Sequence, residues 1–210
     1  MISKVRTNAY IKLHIAIFLF GFTAILGKLI SLQQIGLVWN RLWISCVGLI
    51  FLPGIIRGLK DLSKVDILRF TGIGIIVALH WVLFYGSIKL GNNASITLAC
   101  LATTPLFTSV IEPLLNRRKL LKTEVILGLM TIVGVYFVSG VGSFYYAAIV
   151  TAIISAFLAS AFSTLNKKYL AHHNVLSVSF LEFFSGWGFL CILLPFYYAC
   201  LLYTSDAADE

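Results

Sequence analysis

Long apolar runs broken by short polar stretches divide the chain. The runs cover 11–31, 35–56, 67–88, 94–115, 123–141, 145–165 and 176–198. A helix needs about 20 mostly apolar residues to cross the hydrocarbon of a bilayer, and each run approaches or exceeds that length. The pattern therefore predicts seven membrane-spanning helices. The first run is too long for the core of a cleavable signal peptide, and no small-residue cleavage site precedes the next run. Spans 1/2, 3/4 and 5/6 are joined by very short turns. At Leu90-Gly91-Asn92-Asn93, glycine is placed to end one helix and asparagine to cap the next.

Composition removes the soluble alternative. Of the 210 residues, 60% are hydrophobic and 11% charged, against about 25% charged in soluble domains. The four cysteines (Cys46, Cys100, Cys191 and Cys200) lie in apolar runs without ligand spacing, and read as small buried hydrophobes rather than disulfide or zinc partners. The basic excess, 16 Lys and Arg against 8 Asp and Glu, is explained by topology and calls for no nucleic-acid partner. Lys4, Arg6 and Lys12 precede or open span 1. Arg57, Lys60, Lys64 and Arg69 mark loop 2/3; Arg117, Arg118, Lys119 and Lys122 mark loop 4/5; Lys167 and Lys168 mark loop 6/7. The alternate loops hold only Lys89. Under the positive-inside rule the N-terminus is cytoplasmic, in a multi-pass protein of the plasma or inner membrane.

An internal echo follows the same pattern. "AILGKLI" closes span 1 and "STLNKKYL" closes span 6, while Arg41 and Pro53 in span 2 match Glu182 and Pro195 in span 7 in their spacing. An odd five-helix unit between the copies makes the second one inverted, an arrangement typical of secondary transporters.

The stretch "ALHWVLFYGSIKLGNNASITLACLATTPLFTSVIEPLLNRRKLLKTEVILGLMTIVGVYFV" resembles the EamA-type members of the drug/metabolite transporter superfamily. The features that carry the resemblance are an aromatic span 3 ending in "SIKL", a short Asn-containing turn, "TTPLF" then "EP" in span 4, a basic turn, and Gly128 and Gly134 in span 5. "GKLI" and "NKKYL" extend it to residues 10–198. The resemblance implies ten helices in two inverted five-helix repeats, with both termini cytoplasmic, moving a small metabolite. The expected division is a first repeat at 1–142 and a partial second repeat at 143–199. The turn "NRRKL" departs from the Glu-Arg pair that many relatives carry there. The final "CLLYTSDAADE", 200–210, matches one reading frame of a transposon-type sequencing adapter and is expected to be foreign to the protein. The natural chain is then expected to continue beyond span 7, and the chain as it stands is expected not to transport.

Polar side chains inside hydrocarbon are costly, which makes each one a functional candidate. Arg41 sits roughly 9 Å below the outer surface, at 1.5 Å per residue, and can clamp a carboxylate or phosphate; its structural alternative is snorkelling. Lys28, nearer the outer end of span 1, has the same two readings. Glu112 and Glu182 are the carboxylates well inside the spans and the proton-coupling candidates. The basic run Arg117-Arg118-Lys119 makes Glu112 the better structural ion pair and Glu182 the better proton carrier.

His80, Trp81 and Tyr85 place a titratable ring and an aromatic pair on span 3, for a relay or an apolar or ring-bearing solute, with helix packing as the alternative. Thr103-Thr104-Pro105 falls midway along span 4, where proline leaves the Leu101 carbonyl without its helical partner. The freed backbone either lines a cavity or is healed by a threonine hydroxyl. Ala148, Ala152, Ala156 and Ser160 form a small-residue ridge for close packing within the chain. His172 and His173 point apart, and no metal or cofactor site is expected.

The expected function is secondary transport of a small organic solute by alternating access, with a carboxylate favoured and proton coupling compatible. A channel or structural membrane protein is the alternative. An enzyme is disfavoured, because the spans lack HExxH, DHHC and any aspartate. The expected partners are the bilayer and a small molecule; monomer and homodimer both remain open.

Overall fold

A computed structural model of the chain describes residues 2–139 and 146–206. Among them every regular element is helical: α1 Ile2–Leu29, α2 Gln34–Ile50, α3 Ile55–Lys60, α4 Lys64–Gly91, α5 Ala94–Leu101, α6 Thr104–Asn116, α7 Lys122–Ser139, α8 Tyr146–Tyr169 and α9 Val175–Asp206. A 3-10 turn, Leu170–His172, joins α8 to α9. Among the described residues five segments are long and apolar enough to cross a membrane: Thr7–Leu29, Lys64–Gly91, Ala94–Asn116, Tyr146–His172 and Val175–Tyr197. The turn between spans 5 and 6, with the 142/143 repeat boundary, lies outside the described residues, as do 207–210 and the side chains of Lys4 and Arg6. The polytopic helical architecture expected from the apolar runs is the one observed.

Two breaks correct the predicted spans. Span 2, expected to continue to residue 56, stops as α2 at Ile50. Pro53 cannot supply a backbone N–H to a continuing helix, and Gly54 follows in the left-handed region at φ 89°. The 17 residues of α2 make a helix roughly 26 Å long. Pro195 lies inside α9 instead, so the two prolines matched by spacing play different structural parts. Span 4 is divided at Ala102–Thr103 into α5 and α6, one turn before Pro105. The Thr104 hydroxyl donates to the Leu101 carbonyl at 2.6 Å, and Thr103 donates to Cys100 at 2.7 Å. The carbonyl freed by proline is thus capped by a side chain.

The helix ends are set by local chemistry. Ser63 accepts the Asp66 backbone N–H at 3.2 Å to cap α4. Asn92 adopts the left-handed conformation after Gly91, and Asn93 caps α5 by accepting the Ser95 N–H at 2.9 Å. Asn174 accepts the N–H groups of Leu176 and Ser177 to start α9.

Helix α4 is the hub, packing most extensively on α8 and α9 and also touching α2, α5 and α1. Lipid tails are as apolar as leucine, so helices in a bilayer associate through close packing and polar contacts. The α8 ridge supplies both. Ala148, Ala152, Ala156 and Ser160 are buried; Ser87 of α4 donates to the Ala148 carbonyl at 2.8 Å, and Ser160 bonds Thr108 of α6 at 2.9 Å. At the α4–α9 crossing the backbones themselves meet. A Cβ on Gly74 would collide with the Glu182 carbonyl and the Ser185 hydroxyl, and one on Gly186 would lie 2.8 Å from the Gly74 carbonyl. Helix α1 presents exposed Phe18, Phe22 and Leu29, a surface suited to lipid.

Two stability measurements check this packing. Gly74→Val is expected to cost about 1–3 kcal/mol by overpacking, seen as a lower Tm in detergent. Gly188→Ala, whose Cβ would meet nothing within 4 Å, is expected to leave Tm unchanged. Thr104→Val, which orphans the Leu101 carbonyl, is expected to lose about 1 kcal/mol or more, whereas Thr104→Ser is expected to stay near the parent.

Candidate functional site

A cavity of ≈ 580 Å³ opens where α1, α2, α4, α5, α6, α8 and α9 converge. Its wall contains Arg41 from α2, His80, Trp81, Phe84 and Tyr85 from α4, Thr104 from α6, Phe162 and Ser163 from α8, and Glu182 and Phe183 from α9. The α4 residues reach it because positions three and four apart share a helix face, so His80/Phe84 and Trp81/Tyr85 stand in two adjacent columns.

Arg41 is held by aromatic groups. Its guanidinium carbon lies 4.4 Å from the centre of the Trp81 ring and 5.8 Å from that of Tyr85, and one nitrogen donates to the Tyr85 hydroxyl. No carboxylate of the described residues forms an ion pair with it. Arg41, Tyr85 and Thr23 also line a second cavity of ≈ 310 Å³, bounded by Gly27, Ile30 and Leu32 near the α1–α2 turn. The Arg41–Tyr85 pair therefore stands between the two chambers.

His80 is buried and tied to α8. Its Nδ1 lies 2.8 Å from the Ser155 carbonyl oxygen, while the Ser155 hydroxyl donates to the His80 carbonyl at 3.0 Å. A carbonyl only accepts, so Nδ1 carries hydrogen and Nε2 is the nitrogen that gains or loses a proton. The backbone hydrogen bond anticipated as the packing alternative is present, and the ring lines the cavity as well.

Glu182 is 5% exposed. Its Oε2 accepts from the Asn166 amide at 3.3 Å, while Oε1 is closed to solvent and without a protein partner. Burial of a carboxyl with one oxygen unsatisfied is costly, and such groups concentrate at functional positions in membrane proteins.

The remaining candidates fall elsewhere. Lys28 is exposed and outside the cavity. Glu112 pairs with Lys167 at 2.6 Å and Arg118 at 3.5 Å, beside a different cavity of ≈ 500 Å³ that Pro105 also lines. Thr103 is buried against its own helix end. Among the described residues no three His, Cys, Asp or Glu side chains gather as a metal centre requires. Ser155, Phe162, Asn166 and Phe183 were not singled out from the sequence. Ser155 is one small residue among many on α8, and Asn166 reads as the polar end of a helix before Lys167-Lys168.

Comparison with curated proteins returned no match, and neither did comparison with solved structures. A family model described as the EamA-like transporter family matches residues 7–140. That match covers all but the first turn of α1 and the whole of α2 to α7, including every α4 residue that lines the cavity. A polytopic helical membrane protein with an internal polar and aromatic cavity is what a solute transporter requires, and the chain belongs to the EamA-like transporter family.

Proposed function

We propose that the cavity is the solute site of a secondary transporter, and that it takes a small carboxylate bearing an apolar or ring portion. Arg41 carries this reading: a guanidinium without a carboxylate partner among the described residues, oriented by Trp81 and Tyr85, stands at the wall of a cavity rich in aromatic rings. Its planar fork matches a carboxylate in two parallel hydrogen bonds, which a lysine ammonium does not reproduce. Trp81, Phe84, Phe162 and Phe183 supply faces for a ring. The Arg41–Tyr85 pair between the two chambers suits alternating access, with the solute carboxylate displacing Tyr85 as it passes. The basic loop charges support a cytoplasmic N-terminus, and the sequence echo of spans 1 and 2 in spans 6 and 7 supports an inverted second unit, the two halves such a mechanism needs.

Glu182 is the proton carrier in this reading. The other titratable groups on the cavity wall are Arg41 from α2 and His80 and Tyr85 from α4; α8, α1, α5 and α6 add none. Neutral Glu182 leaves the Arg41 charge unopposed and favours an anion, whereas ionised Glu182 opposes one. Proton and carboxylate binding therefore strengthen each other, as linkage requires.

Equilibrium binding of radiolabelled phenylacetate and of uncharged phenylacetamide to the protein in lipid tests both points. Arg41→Ala and Arg41→Lys are expected to weaken phenylacetate roughly tenfold or more, the worth of a charge-assisted hydrogen bond, and to leave phenylacetamide within about twofold. Phenylacetate affinity is expected to fall as pH rises in the parent and to lose that dependence in Glu182→Gln, which retains His80. Equal loss of both ligands, or a pH profile unchanged in Glu182→Gln, contradicts the reading.

A further inference from the structure

Four buried side-chain atoms among the described residues lack a hydrogen-bond partner: Arg118 Nε, Trp187 Nε1, Asn166 Oδ1 and Glu182 Oε1. The first belongs to the ion-pair cluster with Glu112 and Glu124. The second sits among Trp39 and Trp43 of α2 and Phe184. The last two belong to one pair of side chains, already joined by the bond from Asn166 Nδ2 to Glu182 Oε2. Both orphans are oxygens. An ionised carboxylate and an amide oxygen only accept, so neither can satisfy the other. Turning the amide over exchanges its nitrogen for its oxygen and still leaves the pair one hydrogen short.

One proton removes both deficits. A carboxylic acid carries an O–H on one oxygen and an acceptor on the other, and a primary amide carries the complementary acceptor and donor. We infer that Asn166 and Glu182 form a single proton-binding unit, in which the Asn166 amide holds the acid form of Glu182 by two hydrogen bonds. The inference rests on the reading of this cavity as the transport site, and it adds Asn166 as the positioning residue for the proton.

The step is a simple transfer. Hydronium in the cavity loses a proton to Oε1, its O–H bond breaking as the carboxyl O–H forms and water is left, and the carboxyl turns to Asn166. Release passes the proton back to a water and regenerates hydronium. Because Oε1 is closed to solvent in the paired geometry, exchange requires the pair to open toward the cavity that Glu182 lines. Of the elements packed on α9, α2 brings Arg41 and α4 brings His80 and Tyr85 to the cavity wall, while α8 lines it with the uncharged Ala159, Phe162 and Ser163 and bonds Glu182 through Asn166. The charged groups of α3, Arg57 and Lys60, are not on the cavity wall. Among the described residues no Lys or Arg forms an ion pair with Glu182, so the proton is what satisfies both oxygens of the pair.

Infrared difference spectroscopy of the full chain in lipid, stepped in pH, reads this unit directly. A carboxylic-acid C=O band that disappears in Glu182→Gln is expected, and it is expected to move to higher wavenumber in Asn166→Leu as its hydrogen bonds are lost. Asn166→Ser, which keeps a single hydroxyl, is expected to give an intermediate position and supplies the reading if Asn166→Leu does not fold. The inference is overturned if no band depends on Glu182, if that band does not move in either Asn166 variant, or if sodium rather than acid alters the Glu182 carboxyl signal. These bands do not depend on any solute. Failure of phenylacetate to recognise Arg41 therefore removes the solute reading and leaves them in place.

Discussion

Two helices that cross with glycine on both sides bring their backbones into contact, and the cavity depends on that contact. At Gly74 and Gly186 the α4 and α9 chains meet carbonyl to Cα, which fixes the rotation of both helices. The Glu182 carbonyl meets Gly74, so its side chain emerges close to the crossing and turns toward Asn166 of α8. From Gly74, α4 runs on through the turns that carry His80, Trp81, Phe84 and Tyr85 to the same wall. A bilayer gives little net gain from bringing apolar helices together, so close approach and internal hydrogen bonds must hold them. The Ser155–His80 and Ser87–Ala148 bonds continue the same function along α8.

The charges follow from this frame. Arg41 reaches the cavity from α2 because Trp81 and Tyr85 on α4 accept it, one through the ring face and one through the hydroxyl. A cation in a low-dielectric wall favours anions strongly and is tuned by any carboxyl that shares the space. Glu182 is the carboxyl on that wall, and the inferred pairing with Asn166 would give its neutral form a defined place. One chamber thus holds a guanidinium and a buried carboxyl, each fixed by neighbours from a different helix, and the proposed function assigns them anion selection and proton dependence.

Much of this was legible in the sequence, for physical reasons. Long apolar runs have few alternatives to membrane-spanning helices, and Arg41, His80 and Glu182 stand out because ionisable groups in hydrocarbon demand a reason. Trp81, Tyr85 and Thr104 followed from helix periodicity and the proline rule, and all three reach the cavity. The end of α2 was missed because Phe51, Leu52, Ile55 and Ile56 keep the run apolar across Pro53-Gly54, where only the backbone changes. Glu112 shows the limit of neighbour reasoning. The adjacent basic run supplied Arg118, but the shorter ion pair came from Lys167, 55 residues away. Asn166 and Ser155 were illegible because their meaning lies wholly in contacts between helices.

The central claim is that the chamber walled by α2, α4, α8 and α9 receives the solute. The most direct measurement is thiol labelling of Ser163→Cys, on the cavity wall and exposed, in a background with the four native cysteines replaced. Ser31→Cys, exposed beyond the cavity, serves as the reference. The account predicts that phenylacetate slows maleimide labelling at position 163 and leaves position 31 unchanged. Labelling at 163 that is indifferent to phenylacetate, or protection that is equal at both positions, would contradict it.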